Sequence, residues 1–214
     1  MEAAARPPSA VQVAVFAKAP VAGEVKTRLV PLLGPADAAE LHATLVRHAL
    51  ATARAAEVGP VSLWCAPDRG HPFFAACAGE FGVALHEQRG GHLGERMARA
   101  FERLLAAGPA MIVGSDCPSL TAGDLREAAA ALAGREAVVQ PAEDGGYVLV
   151  GLARALPGLF EGIRWGEADV MRATRERLRA AGTAWAELPV RWDVDRPEDY
   201  RRLLASGLLA EGGR

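Results

Sequence analysis

The stretch AMIVGSD, residues 110–116, is an apolar run without polar alternation that closes on a serine and an aspartate. A strand that does not alternate has both faces covered, as expected of a central strand in a parallel sheet. A carboxylate at the end of such a strand is costly to bury unless it is paired or bound to a cation. It is not needed as a helix cap either, because Thr121 and Asp124 stand in capping-box spacing ahead of the next apolar run. This one stretch therefore predicts an α/β sheet with a polar centre, Asp116, at the carboxyl end of a central strand.

Outward from it, short apolar runs alternate with amphipathic ones. Strands are expected at 11–17, 61–66, 83–88, 110–116, 136–142 and 146–152. A last strand is expected over 184–195, interrupted at Pro189 as an edge or bulge. Helices are expected at 35–57, 71–82, 93–108, 121–134, 166–182 and 196–207, the first with Pro35 in its first turn. The order is βα repeated with a mixed end, which predicts helices on both faces of one sheet. With 214 residues, half of them hydrophobic, one domain is expected, over residues 11–207. Residues 1–10 are read as a flexible N-terminal tail without the apolar core of a secretory signal, and 208–214 as a C-terminal tail.

The formal net charge of −2 gives no global field for nucleic acid. No apolar run is long enough for a membrane span. Three widely spaced cysteines, Cys65, Cys77 and Cys117, argue against a disulfide framework and for a reduced, cytoplasmic setting.

Ligands of open α/β sheets bind beyond the carboxyl ends of the strands, and that is where the remaining polar motifs fall. After the first strand comes KAPVAGEVKTR, with Lys18, Lys26 and Arg28 around Gly23 and Thr27. Three cations beside a glycine suit a di- or triphosphate. The stretch is not a Walker A loop, since Pro20 occupies the earlier glycine position and Val25 precedes Lys26. A turn with solvated charges is the alternative. After the third strand, Gly90, Gly91 and Gly94 surround a helix start, where free N–H groups favour anions. PAEDGGY places Glu143 and Asp144 before Gly145 and Gly146, which permit a tight turn or close approach to a ligand. WDVD places Asp193 and Asp195 on one face of the expected last strand. Two neighbouring carboxylates repel unless a cation lies between them, so this pair could complete a metal site with Asp116. Asp195 could equally cap the helix that follows. Trp165 suits either stacking on a base or sugar or stapling a helix start. The five histidines show no metal-ligand spacing and read as surface or helix-face residues, with His92 alone in a candidate loop.

Taken together and in order, FAKAPVAGEVKTRL, GGHLGERM, GSDCPSL, PAEDGGYVLVGL and WDVDRPEDY resemble a bacterial glycosyltransferase-like family. It belongs to the nucleotide-diphospho-sugar transferase superfamily and is associated with radical-SAM, selenium or arsenosugar neighbourhoods. The resemblance spans nearly the whole chain. It implies a GT-A fold, a Rossmann-like and mostly parallel sheet, similar to that of phospholactate and molybdenum-cofactor guanylyltransferases. It also implies that the loop after the first strand meets the nucleotide and that Asp116 binds a divalent metal, Mg²⁺ or Mn²⁺, with Asp193 and Asp195 as a second metal or phosphate site. A D-x-D motif, frequent in GT-A glycosyltransferases, is replaced here by Ser115, Asp116 and Cys117. The expected activity is a metal-dependent transfer from a nucleotide-activated donor to a small-molecule acceptor. Glycosyl transfer is placed first and nucleotidylyl transfer second, with a non-catalytic nucleotide-binding protein as the remaining alternative. Lys26, Arg28, Asp116 and Asp144 are the expected catalytic residues. Lys18, Gly23, Lys26, Thr27, Arg28, Gly91, Gly94, Gly145 and Gly146 are expected to bind the nucleotide.

Overall fold

The computed structural model describes residues 10–209. Both expected tails fall largely outside that range. Seven strands form one sheet: β1 (Gln12–Lys18), β2 (Val61–Ala66), β3 (Ala84–Glu87), β4 (Ala110–Gly114), β5 (Ala137–Pro141), β6 (Tyr147–Leu152) and β7 (Trp185–Glu187). Their spatial order is β3-β2-β1-β4-β6-β5-β7. β6 runs antiparallel to β4 and β5, while the other pairings are parallel.

After β1 the chain makes a 3₁₀ turn, Thr27–Leu29, and two helices, α1 (Val30–Leu33) and α2 (Pro35–Ala56). The others are α3 (Pro72–Phe81), α4 (Leu93–Leu104), α5 (Ala122–Leu132), α6 (Val170–Ala180) and α7 (Pro197–Ser206). Strand alternation divides the core in two. Val13 and Val15 of β1 pack with Val46 and Leu50 of α2, Phe74 of α3 and Leu125 of α5. Ala14 and Phe16 face the opposite way, toward Met97 and Phe101 of α4 and Met171 and Leu178 of α6. A third cluster, Leu29, Leu45, Trp192, Val194 and Leu203, joins the loop after β1 to the segment before α7.

One expected element differs. The run over 184–195 is a strand only at Trp185–Glu187, at the sheet edge. Beyond Leu188 it follows β5 through single contacts, with the Leu188 N–H donating to the Val139 carbonyl and the Arg191 N–H to that of Pro141. Pro189 lacks the N–H a ladder needs, so pairing stops there. Trp192 and Val194 are nonetheless buried while Asp193 and Asp195 are part-exposed, so the two carboxylates share a side without a strand.

The chain proceeds outward from β1 through β2 to β3, then returns to place β4 on the other flank of β1. The connections leaving β1 and β4 therefore lead to opposite flanks of the sheet, with α2 and α5 packed on the same face. That reversal opens a crevice at the carboxyl edge, the general position of ligand sites in open α/β sheets.

Candidate active site

The loop from β1 and the loop from β4 face each other across this crevice, and their meeting point is Lys26 with Asp116. Lys26 is buried and its backbone lies in the left-handed region, φ 48° and ψ 39°. A non-glycine residue there costs about 1 kcal/mol. The strained backbone aims Nζ inward, where it donates to the Val194 carbonyl at 2.6 Å and lies 3.0 Å from Asp116 Oδ1. Lys26 Nζ and Asp116 Oδ1 form a charge pair rather than an aligned hydrogen bond, so Oδ1 is buried without a hydrogen-bond partner. The remainder of the carboxylate is open to the crevice, with 47% of the side chain exposed. Burial pushes this carboxyl up, but the Lys26 ammonium and His42 outweigh it and hold it far below the ordinary range.

His42 was not singled out by its sequence position. It is buried on the inner face of α2, its Nε2 lies 3.0 Å from the Lys18 carbonyl and its Nδ1 3.7 Å from Asp116 Oδ1. His48, two turns further along α2, sits 3.1 Å from the Pro118 carbonyl. One helix thus braces both loops. Both are helix-face residues, as expected, but the face is the inner one, with His42 buried and His48 part-buried. The available signal was that both fall on the apolar stripe of α2, a weak one because a histidine on such a stripe is more often a packing residue.

The segment carrying Asp193 and Asp195 is sewn to the β4 loop. The Val194 N–H donates to the Asp116 carbonyl, and Ser119 Oγ donates to the Trp192 carbonyl. Asp193 is pushed up to about 6, first by burial, then by the like charges of Asp144 and Asp116. Asp195 instead pairs with Arg28. It does not cap α7: Asp199 takes that part, accepting from the N–H groups of Asp195 and Arg196. Among the described residues no three His, Cys, Asp or Glu side chains are grouped closely enough to hold a metal by themselves. Asp116 and Asp193 are electrostatic neighbours, while Asp195 is drawn off by its arginine.

Two cavities follow. A cleft of about 630 Å³ is lined by Lys18, Lys26, Thr27, Arg28, Asp116 and Trp165, among others. A smaller one of about 310 Å³ holds Asp144, Asp193 and Asp195 and shares Arg28, Gly166 and Asp195 with the first. The larger volume is in the range of small-molecule sites.

The expected glycines serve the framework more than the cleft. Gly145, at φ 90°, lets the chain touch the Ala168 backbone, which a Cβ would meet at 2.1 Å. The Gly146 N–H donates to Asp144 Oδ1 at 2.8 Å. Neither glycine lines either cavity. The Gly91 N–H is taken by Glu95 Oε2 at 2.9 Å, and His92 caps α4 by accepting from the Glu95 N–H. Gly94 is bare because a Cβ there would lie 2.5 Å from the Trp165 indole nitrogen. Trp165 thus packs on α4 and also walls the cleft. Gly23, at φ 85°, has open space around it and serves the turn. Glu143 is held by Arg202 at 2.7 and 3.2 Å.

Residues 38–167 match the family model described as "Uncharacterized protein conserved in bacteria (DUF2064)". The chain belongs to this family. A phosphoenolpyruvate guanylyltransferase from Chloroflexus aurantiacus is 31% identical over 191 residues, covering 85% of this chain and 90% of that protein. A crystal structure from Desulfovibrio desulfuricans G20, provisionally described as a nucleotide-diphospho-sugar transferase, superposes with a TM-score of 0.81 at 30% identity. It covers 95% of this chain and 98% of that one. Rv0371c from Mycobacterium tuberculosis H37Rv, solved as a complex with manganese, shares the fold at a TM-score of 0.55 and 20% identity, over 92% of this chain and 99% of that one. This DUF2064 protein is accordingly a transferase with the fold of the nucleotide-diphospho-sugar transferases.

Proposed function

We propose that this DUF2064 chain is a nucleotidylyltransferase. It would bind a nucleoside triphosphate in the cleft between the β1 and β4 loops and pass the nucleotidyl group to a phosphorylated small molecule. The observation that carries the reading is the buried Lys26 ammonium, fixed beside a half-open Asp116 at the switch point of the sheet. The guanylyltransferase relative, matched along most of both chains, supports this reading over glycosyl transfer, and GTP is the first donor to test. Glycosyl transfer keeps support from the description of the Desulfovibrio structure.

In this reaction an acceptor phosphate oxygen attacks the α-phosphorus in line. The bond from that phosphorus to the bridging oxygen breaks, and pyrophosphate carries away the electron pair. No protein nucleophile is needed. The chain supplies position and charge, worth most where water is excluded. Lys26 sets a positive charge against the phosphates from a buried, pre-aimed position. Lys18, Thr27 and Arg28 line the approach, with Arg28 exchanging Asp195 for phosphate oxygens. Asp144, in the smaller cavity, orients the acceptor.

Asp116 and Asp193, with Asp144 near them, suit a hard divalent cation. Such an ion takes one or two carboxylates and completes its shell with water and phosphate oxygens. The fit is supported by the repulsion that raises Asp193 and by the free half of Asp116. A bound Mg²⁺ or Mn²⁺ would neutralise phosphate charge as a Lewis acid. The test is a product assay with Mg²⁺, each nucleoside triphosphate and a pool of phosphorylated acceptors, alongside nucleotide sugars with the same pool. Acceptor-dependent pyrophosphate release is expected. Release of nucleoside diphosphate from a nucleotide sugar, without pyrophosphate from any triphosphate, would assign the chain to glycosyl transfer instead.

A further inference from the structure

A second cavity of comparable size, about 670 Å³, lies at the β3 edge of the sheet and has no part in the chemistry above. Arg69 comes to it from the loop after β2, Arg89 from the loop after β3, and Arg99 and Arg103 from α4. Its inner wall is aromatic. Trp64 is buried with its ring 4.9 Å from that of His86 and stacks on Phe16 behind. Two carboxylates, Glu87 and Glu102, also line it. Four guanidinia against two carboxylates leave a local surplus of positive charge on a chain whose net charge is −2.

What sets the cavity apart is that four arginines line one space. Some arginines elsewhere are matched to carboxylates, as in Arg47–Glu80, Arg154–Glu136, Arg175–Glu187 and Arg202–Glu143, and others, such as Arg96 and Arg126, bond to backbone carbonyls. Arg69 and Arg89 share a single carboxylate, Glu87, at 3.7 and 3.3 Å. Arg99 and Arg103 stand one helical turn apart, and among the described residues neither has a carboxylate within ion-pair distance. Like charges at this spacing destabilise a helix by a few tenths of a kcal/mol. His86 registers the same field, since burial and then Arg103 and Arg69 lower its pKa.

We infer that this cavity is a second binding site, separate from the cleft, for a compact polyanion carrying linked phosphate groups. Guanidinium forks match phosphate oxygens in pairs, and four converging from three segments suit several linked groups better than one. An open cavity of this size takes a small molecule, and the negative net charge of the chain disfavours a nucleic-acid strand. The site is also mechanically tied to the cleft. The Gln88 side chain, which lines the cleft, donates to the Trp64 and Ala17 carbonyls, so the cavity wall and the end of β1 share one anchor.

The test is a titration with inorganic tripolyphosphate in EDTA, followed through the His86 ring signals in carbon-correlated NMR and assigned with His86→Gln. His86 lines this cavity and not the cleft, and the arginine variant below separates binding here from an effect relayed from the cleft. Saturable shifts are expected, weakened by added salt. The double variant Arg99→Gln/Arg103→Gln should raise the midpoint at least tenfold. Both arginines are exposed, so the variant should keep or slightly raise the melting temperature, which checks folding. His86 signals unmoved by millimolar tripolyphosphate would overturn the inference. So would an unchanged midpoint in the folded double variant. Either result leaves the nucleotidylyl reading intact, as that reading is tested by pyrophosphate release.

Discussion

Asp116 and Asp124 stand eight residues apart, and each meets a cation from a distant segment, yet their surroundings are opposites. Asp124 is buried and saturated. It accepts from the Thr121 N–H and hydroxyl, from Gln140 Nε2 at 3.0 Å, and from Arg191 at 2.6 and 3.1 Å. Asp116 has Lys26 at 3.0 Å, one oxygen without an aligned donor, and an open face on a cleft. A carboxylate whose lone pairs are all taken is finished with binding; it fixes helix α5 and the 191 segment in place. One left half-satisfied at a sheet's switch point keeps capacity for a ligand. In this chain burial and the completeness of the hydrogen bonding, rather than pairing with a cation, distinguish Asp124 from Asp116, the carboxylate we propose as functional.

The largest effect should come from Asp116→Asn. Turnover should fall by about 10³-fold or more, since the carboxylate proposed to hold the divalent cation against the phosphates is lost. Steady-state pyrophosphate release measures it, and near-normal turnover would erase the distinction. The same variant leaves the Lys26 ammonium buried without its counter-charge. Because Asp116 is half open, the stability cost should be on the order of 2 kcal/mol, below that of a fully buried pair.

Asp124→Ala should do the reverse. It strands Arg191 and removes the α5 capping box, costing on the order of 3 kcal/mol. Denaturant unfolding should show this, while kcat per folded molecule at low temperature stays close to the parent's. Acid should act similarly. Burial raises the Asp124 carboxyl, but Arg191 and Thr121 outweigh it and hold it below its ordinary value. Its contribution is therefore present above the unfolded value and is lost as pH falls through the folded one.

Asp193 should behave with the opposite sign. Its folded value of about 6 lies above the ordinary aspartate range near 4. Its contribution to metal-free stability is present below about pH 4 and is lost as pH rises through about 6. The melting temperature of the parent should therefore fall relative to that of Asp193→Asn between these values, and the offset should level off above them. Mg²⁺ at pH 7.5 should stabilise the parent and have less effect on the variant. The smallest effect belongs to Arg28→Ala. Its pair with Asp195 is exposed, so stability should change by less than about 1 kcal/mol, while the KM for the nucleotide rises several-fold.

The sheet and its ligand edge were legible because burial on both faces removes alternation, as in residues 110–114, and because turn and cap residues punctuate the chain. Thr121 and Asp124 form the expected capping box. The segment at 184–195 was misread as a strand because its buried–exposed alternation is real, while the pairing that defines a strand ends near Pro189. In the site, Asp116 announced itself by position. His42 and His48 did not, because what they do depends on which loop carbonyls α2 is brought against, and that is set by packing far along the chain. Gly94 and Gly145 looked like ligand glycines, since the need for a missing Cβ is the same whether the neighbour is a phosphate or, as here, an indole and a backbone carbonyl.

The most direct test of the contrast between the two carboxylates is the affinity for GTP with and without Mn²⁺, measured by titration calorimetry on the parent and on Asp116→Asn. Mn²⁺ should tighten binding to the parent at least tenfold and leave the variant's affinity unchanged. A variant that keeps the full Mn²⁺ effect would contradict Asp116 as the cation-dependent centre of the site.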